Sequence, residues 1–428
     1  MPLNESVGAP TPRDAAPAMR RGLGLTDAVV IGLGSMLGAG VFVAYSPAAD
    51  AASTALIWSL LVAGVLAWCN ALSSARLAAL HPESGGTYVY GRERLGPFWG
   101  HLAGWAFVVG KTASCAAMAF TVGYHLAPDH AQLVAMAAVL ALTALNLRGV
   151  RKGALLTRVL VAIVLAGLLG FVVLMLVAPP AHVADDGVAP GIGSALGVLE
   201  GAGYFFFAFA GYARIATLGE EVRDPARTIP RAIPLALGVV LTIYLLVGAV
   251  LLGTVGAGWL AGHPSPIADA AEISGAPWAG GVLRVVAGLA ALGALLGLIL
   301  GVSRTILAMA RDGHLPRGLS AIHPVHAVPH RAELLVGAVV IAVIMVADLR
   351  GAIGFSSFCV LTYYAIANAS AWTLADSVRS RLVPAVGFVG CVLVAAVLPL
   401  GTVVGGLLVL ALGALAYAGR EAARRVEH

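Results

Sequence analysis

An all-α membrane protein with twelve transmembrane helices is the architecture implied by three features of the residue pattern. Hydrophobic residues fill 60% of the 428 positions, charged residues only 11%, and the mean hydropathy is +0.93. That is too apolar for a chain that folds in water. The apolar residues fall in runs of about 20, the length that crosses a hydrocarbon core as a helix. Basic residues collect on alternate sides of those runs, as the positive-inside rule requires of cytoplasmic loops.

Taken in order, residues 1–22 carry Pro2, Pro10, Pro12 and Pro17 and lack the apolar core of a signal peptide, so they read as a cytoplasmic tail. Spans are expected at 23–46, 53–80, 98–126, 131–147 and 154–177, a first group of five within residues 23–178. A second group within residues 192–374 has spans at 192–218, 232–255, 282–310, 332–348 and 353–374. Two peripheral spans, 383–398 and 403–418, precede a tail at 419–428. The ninth and tenth spans are divided only by residues 349–352, and the last two around Pro399-Leu400-Gly401.

Of the 26 Lys and Arg residues, all but Lys111, Arg214, Arg284 and Arg350 lie on one side of this arrangement. An even number of spans with both termini cytoplasmic satisfies that asymmetry, and the excess of Arg over Lys suggests a GC-rich bacterial genome and hence a bacterial cell membrane. The net charge of +5 arises from these edge residues rather than from one basic patch, so no nucleic-acid partner is expected. Cys69, Cys115, Cys359 and Cys391 all fall inside spans without paired spacing and read as small buried residues. His323, His326 and His330 read as a wet loop; neither a metal nor a cofactor is implied.

The first span is interrupted in its middle. Gly32-Leu33-Gly34-Ser35-Met36-Leu37-Gly38-Ala39-Gly40-Val41-Phe42 crowds glycine where a helix should run unbroken. Bare main-chain groups are tolerated at that depth only when packed in protein or lining a cavity. The sixth span repeats the device in Gly201-Ala202-Gly203-Tyr204-Phe205-Phe206-Phe207-Ala208-Phe209-Ala210-Gly211-Tyr212. Two groups of five, each opening on a discontinuous helix, form a 5+5 inverted repeat whose interruptions meet near the midplane. Glycines that merely let helices pack closely are the plainer alternative.

Three blocks in order, Gly34 to Phe42, Phe205 to Tyr212 followed by Glu220 to Ile233, and Ser303-Arg304 leading to Met309 to Pro316, resemble amino-acid permeases of the amino acid, polyamine and organocation superfamily. The resemblance implies that amides around Ser35, Met36, Gly38, Ala39 and Gly40 hold a ligand carboxylate. It implies that carbonyls around Phe207, Ala208, Phe209 and Ala210 meet its amino group, with Phe207 as an aromatic gate.

Coupling departs from better-known relatives. Val161 to Gly167 in the fifth span lacks the lysine of some proton-coupled members, and Ala291 to Leu296 in the eighth lacks the hydroxyls of sodium-coupled ones. Lys111, near mid-depth in the third span, is a proton-binding or substrate-sensing group, or a structural lysine held by a carbonyl or by Glu200. Glu200 reads as the one acid well inside the apolar region, taking a proton, facing a cation, or lying in a hydrated vestibule. Ala213 stands where many relatives carry an acid, which argues against a cationic ligand.

The sequence carries no nucleophile elbow, phosphate loop or two-histidine helix motif, so it does not read as an enzyme. It reads as a secondary-active transporter of an amino acid or related amine, working by alternating access, sodium-independent, and proton-coupled or exchanging. The alternatives are a polyamine exchanger and a transporter-like nutrient sensor.

Overall fold

The computed structural model describes residues 23–81, 85–149, 153–180, 193–216 and 222–426. The expected N-terminal tail, residue 192, Glu220 and Glu221 of the second family block, and residues 427–428 lie outside them. The first span divides into α1 (Leu25–Met36), α2 (Gly40–Val43) and α3 (Tyr45–Ala52). Next come α4 (Leu56–Leu80), the short α5 (Thr87–Leu95), α6 (Pro97–Leu126), α7 (Ala131–Leu147) and α8 (Ala154–Val177). The sixth span is α9 (Ala195–Phe209), a 3-10 turn at Ala210–Tyr212, and α10 (Ala213–Ala216). Beyond it run α11 (Pro225–Thr254), the short α12 (Gly256–Gly262) and α13 (Pro266–Glu272), α14 (Trp278–Arg311), α15 (His330–Val346), α16 (Leu349–Trp372), α17 (Val378–Val397) and α18 (Leu400–Val426).

Among the described residues, eleven stretches are long and apolar enough to cross a membrane. The remaining expected span, the ninth, is α15, a helix of 17 residues. At about 1.5 Å per residue it measures ~26 Å, slightly under the hydrocarbon thickness. It stops early because Asp348 caps the next helix: its side chain accepts the Gly351 amide at 2.8 Å, so the turn falls at Ala347 and Asp348 rather than at 349–352. Ser194 caps α9 in the same way, accepting from the Gly197 amide at 3.0 Å. Pro97 opens α6 behind Gly96, whose φ of 108° favours glycine. The sequence did not foresee α5, α12 or α13, short helices between spans.

α6 is the central post, packed on α14 and α16. Gly110 permits the closest approach, since a Cβ there would stand 2.6 Å from the Cβ of Cys359. The core around the two interruptions is aromatic: Phe42, Tyr45, Phe205, Phe206, Phe209, Tyr212, Tyr244 and Tyr364 are all fully buried. Leu155 and Val177 on α8 and Val378 on α17 are exposed, the faces that would meet lipid.

Candidate functional site at two helix interruptions

α1 ends at Met36, the amide of Leu37 closes onto the Leu33 carbonyl at 2.7 Å, and Gly38 and Ala39 belong to no helix before α2 resumes at Gly40. The second interruption is milder, an α-helix tightening into a 3-10 turn at Ala210. The two lie main chain against main chain. A Cβ on Gly40 would sit 2.5 Å from the Cα of Ala208, and one on Gly211 would enter the Ser35 carbonyl and stand 2.7 Å from the Met36 amide nitrogen. Only glycine allows backbones to approach this closely.

Ser35, Met36, Gly38, Ala39 and Gly40 are therefore brought together with Phe207, Ala208, Phe209 and Ala210, and all but Ser35 are buried. The Ser35 hydroxyl donates to its own helix at the Ile31 carbonyl, 2.9 Å away, which leaves only its main chain for a ligand. Phe207 is buried, with 8% of its surface exposed.

Tyr244 of α11 joins the two interruptions. Its hydroxyl donates to the Met36 carbonyl at 2.7 Å and lies 3.4 Å from the Ala208 carbonyl, and its own carbonyl accepts from Tyr45 at 2.8 Å. Nothing in the sequence singled it out; one tyrosine in an apolar span looks like core, and its partners are main-chain oxygens distant in the chain.

Lys111 and Glu200 separate. The Lys111 ammonium reaches the Ala210 carbonyl at 3.5 Å, so this lysine faces the second interruption and not Glu200. Lys111, Cys115, Met118 and Val122 repeat at helical spacing on one face of α6, and Met118 and Val122 pack at Ala39. Glu200 stands nearer the far side, 3.8 Å from Arg350, which also pairs with Asp50 and donates to the Tyr204 hydroxyl at 3.0 Å. A cavity of 180 Å³ lies beside this cluster, lined by Val43, Ser46, Tyr124, Asp348 and Arg350 among others. Its inner end at Val43 is one helical turn from Gly40.

On the basic side, the third family block is fastened to α5. The Tyr88 hydroxyl is 2.6 Å from an Asp312 carboxylate oxygen and 2.9 Å from His314 Nδ1, and Arg92 donates to the same carboxylate oxygen at 3.0 Å. Burial and the Asp312 carboxylate push the Tyr88 hydroxyl well above its ordinary pKa, so it stays a donor.

A void of 10 Å³, one water in size, lies where α1, α8 and α14 meet. Gly34, Leu37, Leu160, Val161, Val164 and Ala290 line it, without a side-chain oxygen among them. The four cysteines are buried and free. His323 spends its Nδ1 on the amides of Val325 and His326, as a loop residue does.

One acid escaped the sequence reading. Glu333, in the first turn of α15, is fully buried, a carboxylate that the sequence did not single out.

Compared with known proteins, residues 23–418 match the family described as amino acid permease. An uncharacterized transporter of Mycobacterium tuberculosis is 59% identical over 415 residues, 96% of this chain and 93% of its own. The branched-chain amino acid permease of Bacillus subtilis is 27% identical over 344 residues, 75% of this chain and 73% of its own. Cationic amino acid transporter 4 of Homo sapiens is 29% identical over 374 residues, 81% of this chain and 58% of its own.

Proposed function

From the premise that this chain belongs to the amino acid permease family, we propose that it carries an amino acid across the cell membrane by alternating access, without sodium, driven by protons or by exchange. It is a membrane transporter and not an enzyme. In this reading both termini are cytoplasmic, and the cavity beside Arg350 is the outer vestibule.

The carrying observation is the main-chain contact between the two interruptions. Unpaired amides near Gly38 to Gly40 suit a carboxylate, and carbonyls near Phe207 to Ala210 suit an ammonium group. Ligand binding between them is coupled to movement because the first segment, Leu37 to Ala39, stands outside any helix. Phe207 is the gate over the ligand. The side chains around the small void between α1, α8 and α14 offer no oxygen ligand, which supports sodium independence. The relatives' names point to different side chains, branched and cationic. Lys111 at the Ala210 carbonyl places a like charge beside any cationic ligand, which favours an amino acid over a polyamine.

Purified protein in proteoliposomes should show saturable counterflow of at least one labelled amino acid, unaffected by replacing sodium with choline. Absence of counterflow for every common amino acid overturns the reading, and dependence on sodium overturns its coupling.

A further inference from the structure

Glu333 presents both carboxylate oxygens to the protein interior without a hydrogen-bond partner, and none of its surface is exposed. No Lys, Arg or His nitrogen stands within 4.0 Å of it among the described residues. A bare carboxylate in that position is costly. The helix facing it carries the complementary defect. On α7, Thr143 Oγ1 and Asn146 Oδ1 are also buried and unpartnered. α7 and α15 run antiparallel, and Gly337 brings them together: a Cβ there would stand 2.8 Å from Thr143 Oγ1. One turn along from that contact, Asn146 and Glu333 fall at the same level. Asn146 is oriented by α14, where its Nδ2 donates to the Leu296 carbonyl at 3.3 Å, which leaves Oδ1 as an acceptor without a donor.

We propose that Glu333 is a proton-binding site, carried as a carboxylic acid whose O–H is given to Asn146, and that this is the proton the permease couples to transport. One proton answers both defects, neutralising the buried acid and supplying the donor that Asn146 lacks. The inference rests on the permease reading for its coupling role, but not for the protonation itself. Arg304 on α14 is the cation whose charge reaches Glu333. A shift of α14 against α15 that brings the two to ion-pair distance releases the proton to the cytoplasm. The other charged or titratable groups on packed elements are Arg284 and Arg311 on α14, Arg148 at the end of α7, Arg317 on the 3-10 turn Arg317–Ser320, His330 and Arg331 on α15, and on α6 His101, Lys111 and His125, engaged at the carbonyls of Gly413, Ala210 and Thr121.

Glu333→Gln keeps the shape and supplies an N–H donor for Asn146, so it imitates the protonated acid. Two measurements on the full chain in liposomes test the proposal. Infrared difference spectra across a pH titration should contain a protonated-carboxyl band that is missing from E333Q. Uptake driven by an inward proton gradient should fall about tenfold in E333Q while counterflow without a gradient persists. An unchanged carboxyl band, a wild-type uptake indifferent to the gradient, or a band that appears only when sodium is withdrawn would each overturn it. If neither protein shows counterflow, the permease reading fails, and the infrared band still decides whether Glu333 holds a proton.

Discussion

Tyr244 shows how one hydroxyl can hold an interrupted helix in place. The Met36 carbonyl is freed by the end of α1, and without Tyr244 it would be buried unpaired, at a cost of about 1–3 kcal/mol. Tyr244→Phe should therefore lower thermal stability and weaken substrate affinity together, read by thermal unfolding in detergent and by KM. A stability loss with unchanged KM would confine Tyr244 to packing. Lys111→Met removes the charge beside the Ala210 carbonyl and should widen selectivity toward cationic amino acids, read by competition of lysine or arginine against the native substrate. At this scale the sequence was partly legible. Lys111 stood out because an ionisable group at membrane depth is rare. Tyr244 and Glu333 did not, the first because tyrosine is ordinary in a core and the second because its burial depends on where α15 begins.

Among elements, the glycines decide how near two broken helices can come. Gly211→Ala pushes a methyl into the Ser35 carbonyl and Gly40→Ala pushes one against the Cα of Ala208, and neither neighbour is a flexible side chain that can yield. Both variants should lose transport. Gly253→Ala, where an added Cβ meets nothing within 4 Å, should leave it intact. Uptake corrected for the amount of monodisperse protein distinguishes the three. Near the start of α14, Arg284 donates to Glu272 on the short helix α13 at 2.7 Å and holds that carboxyl below its ordinary range, while burial raises Asp269 beside it. A lowered carboxyl contributes stability above its unfolded pKa and loses it as pH falls through the folded value. Glu272→Gln should thus reduce the acid-side loss of stability, by less than about 1 kcal/mol because Glu272 is half exposed. Melting temperature measured from neutral to acid pH checks it.

For the molecule as a whole, polar clusters fasten both ends. Asp50, Arg350, Tyr204 and Glu200 join α3, α16 and α9 on the vestibule side, and Tyr88, Arg92, Asp312 and His314 join α5 to the end of α14 on the other. In the proposed alternating-access cycle these clusters would open in turn. Arg350→Gln should favour the outward-open form. A Ser46→Cys reporter in the 180 Å³ cavity should then react several-fold faster with a membrane-impermeant thiol reagent, over a low background because the four native cysteines are buried. An unchanged rate would leave the Arg350 cluster without a gating role.

Readable from the residues alone were the membrane class, the order of the spans and the two interruptions, because apolar length and misplaced glycine are local signals that need no partner. The ninth span kept its expected length of 17 residues but lies two residues earlier, since the capping of α16 by Asp348 draws the turn back. What only folding in three dimensions decided was which main-chain atoms touch, which charges pair, and which polar groups are left without partners. Those outcomes depend on residues far apart in the chain, Met36 with Tyr244 or Asp50 with Arg350, and no local spacing encodes the few ångströms that separate a contact from a gap.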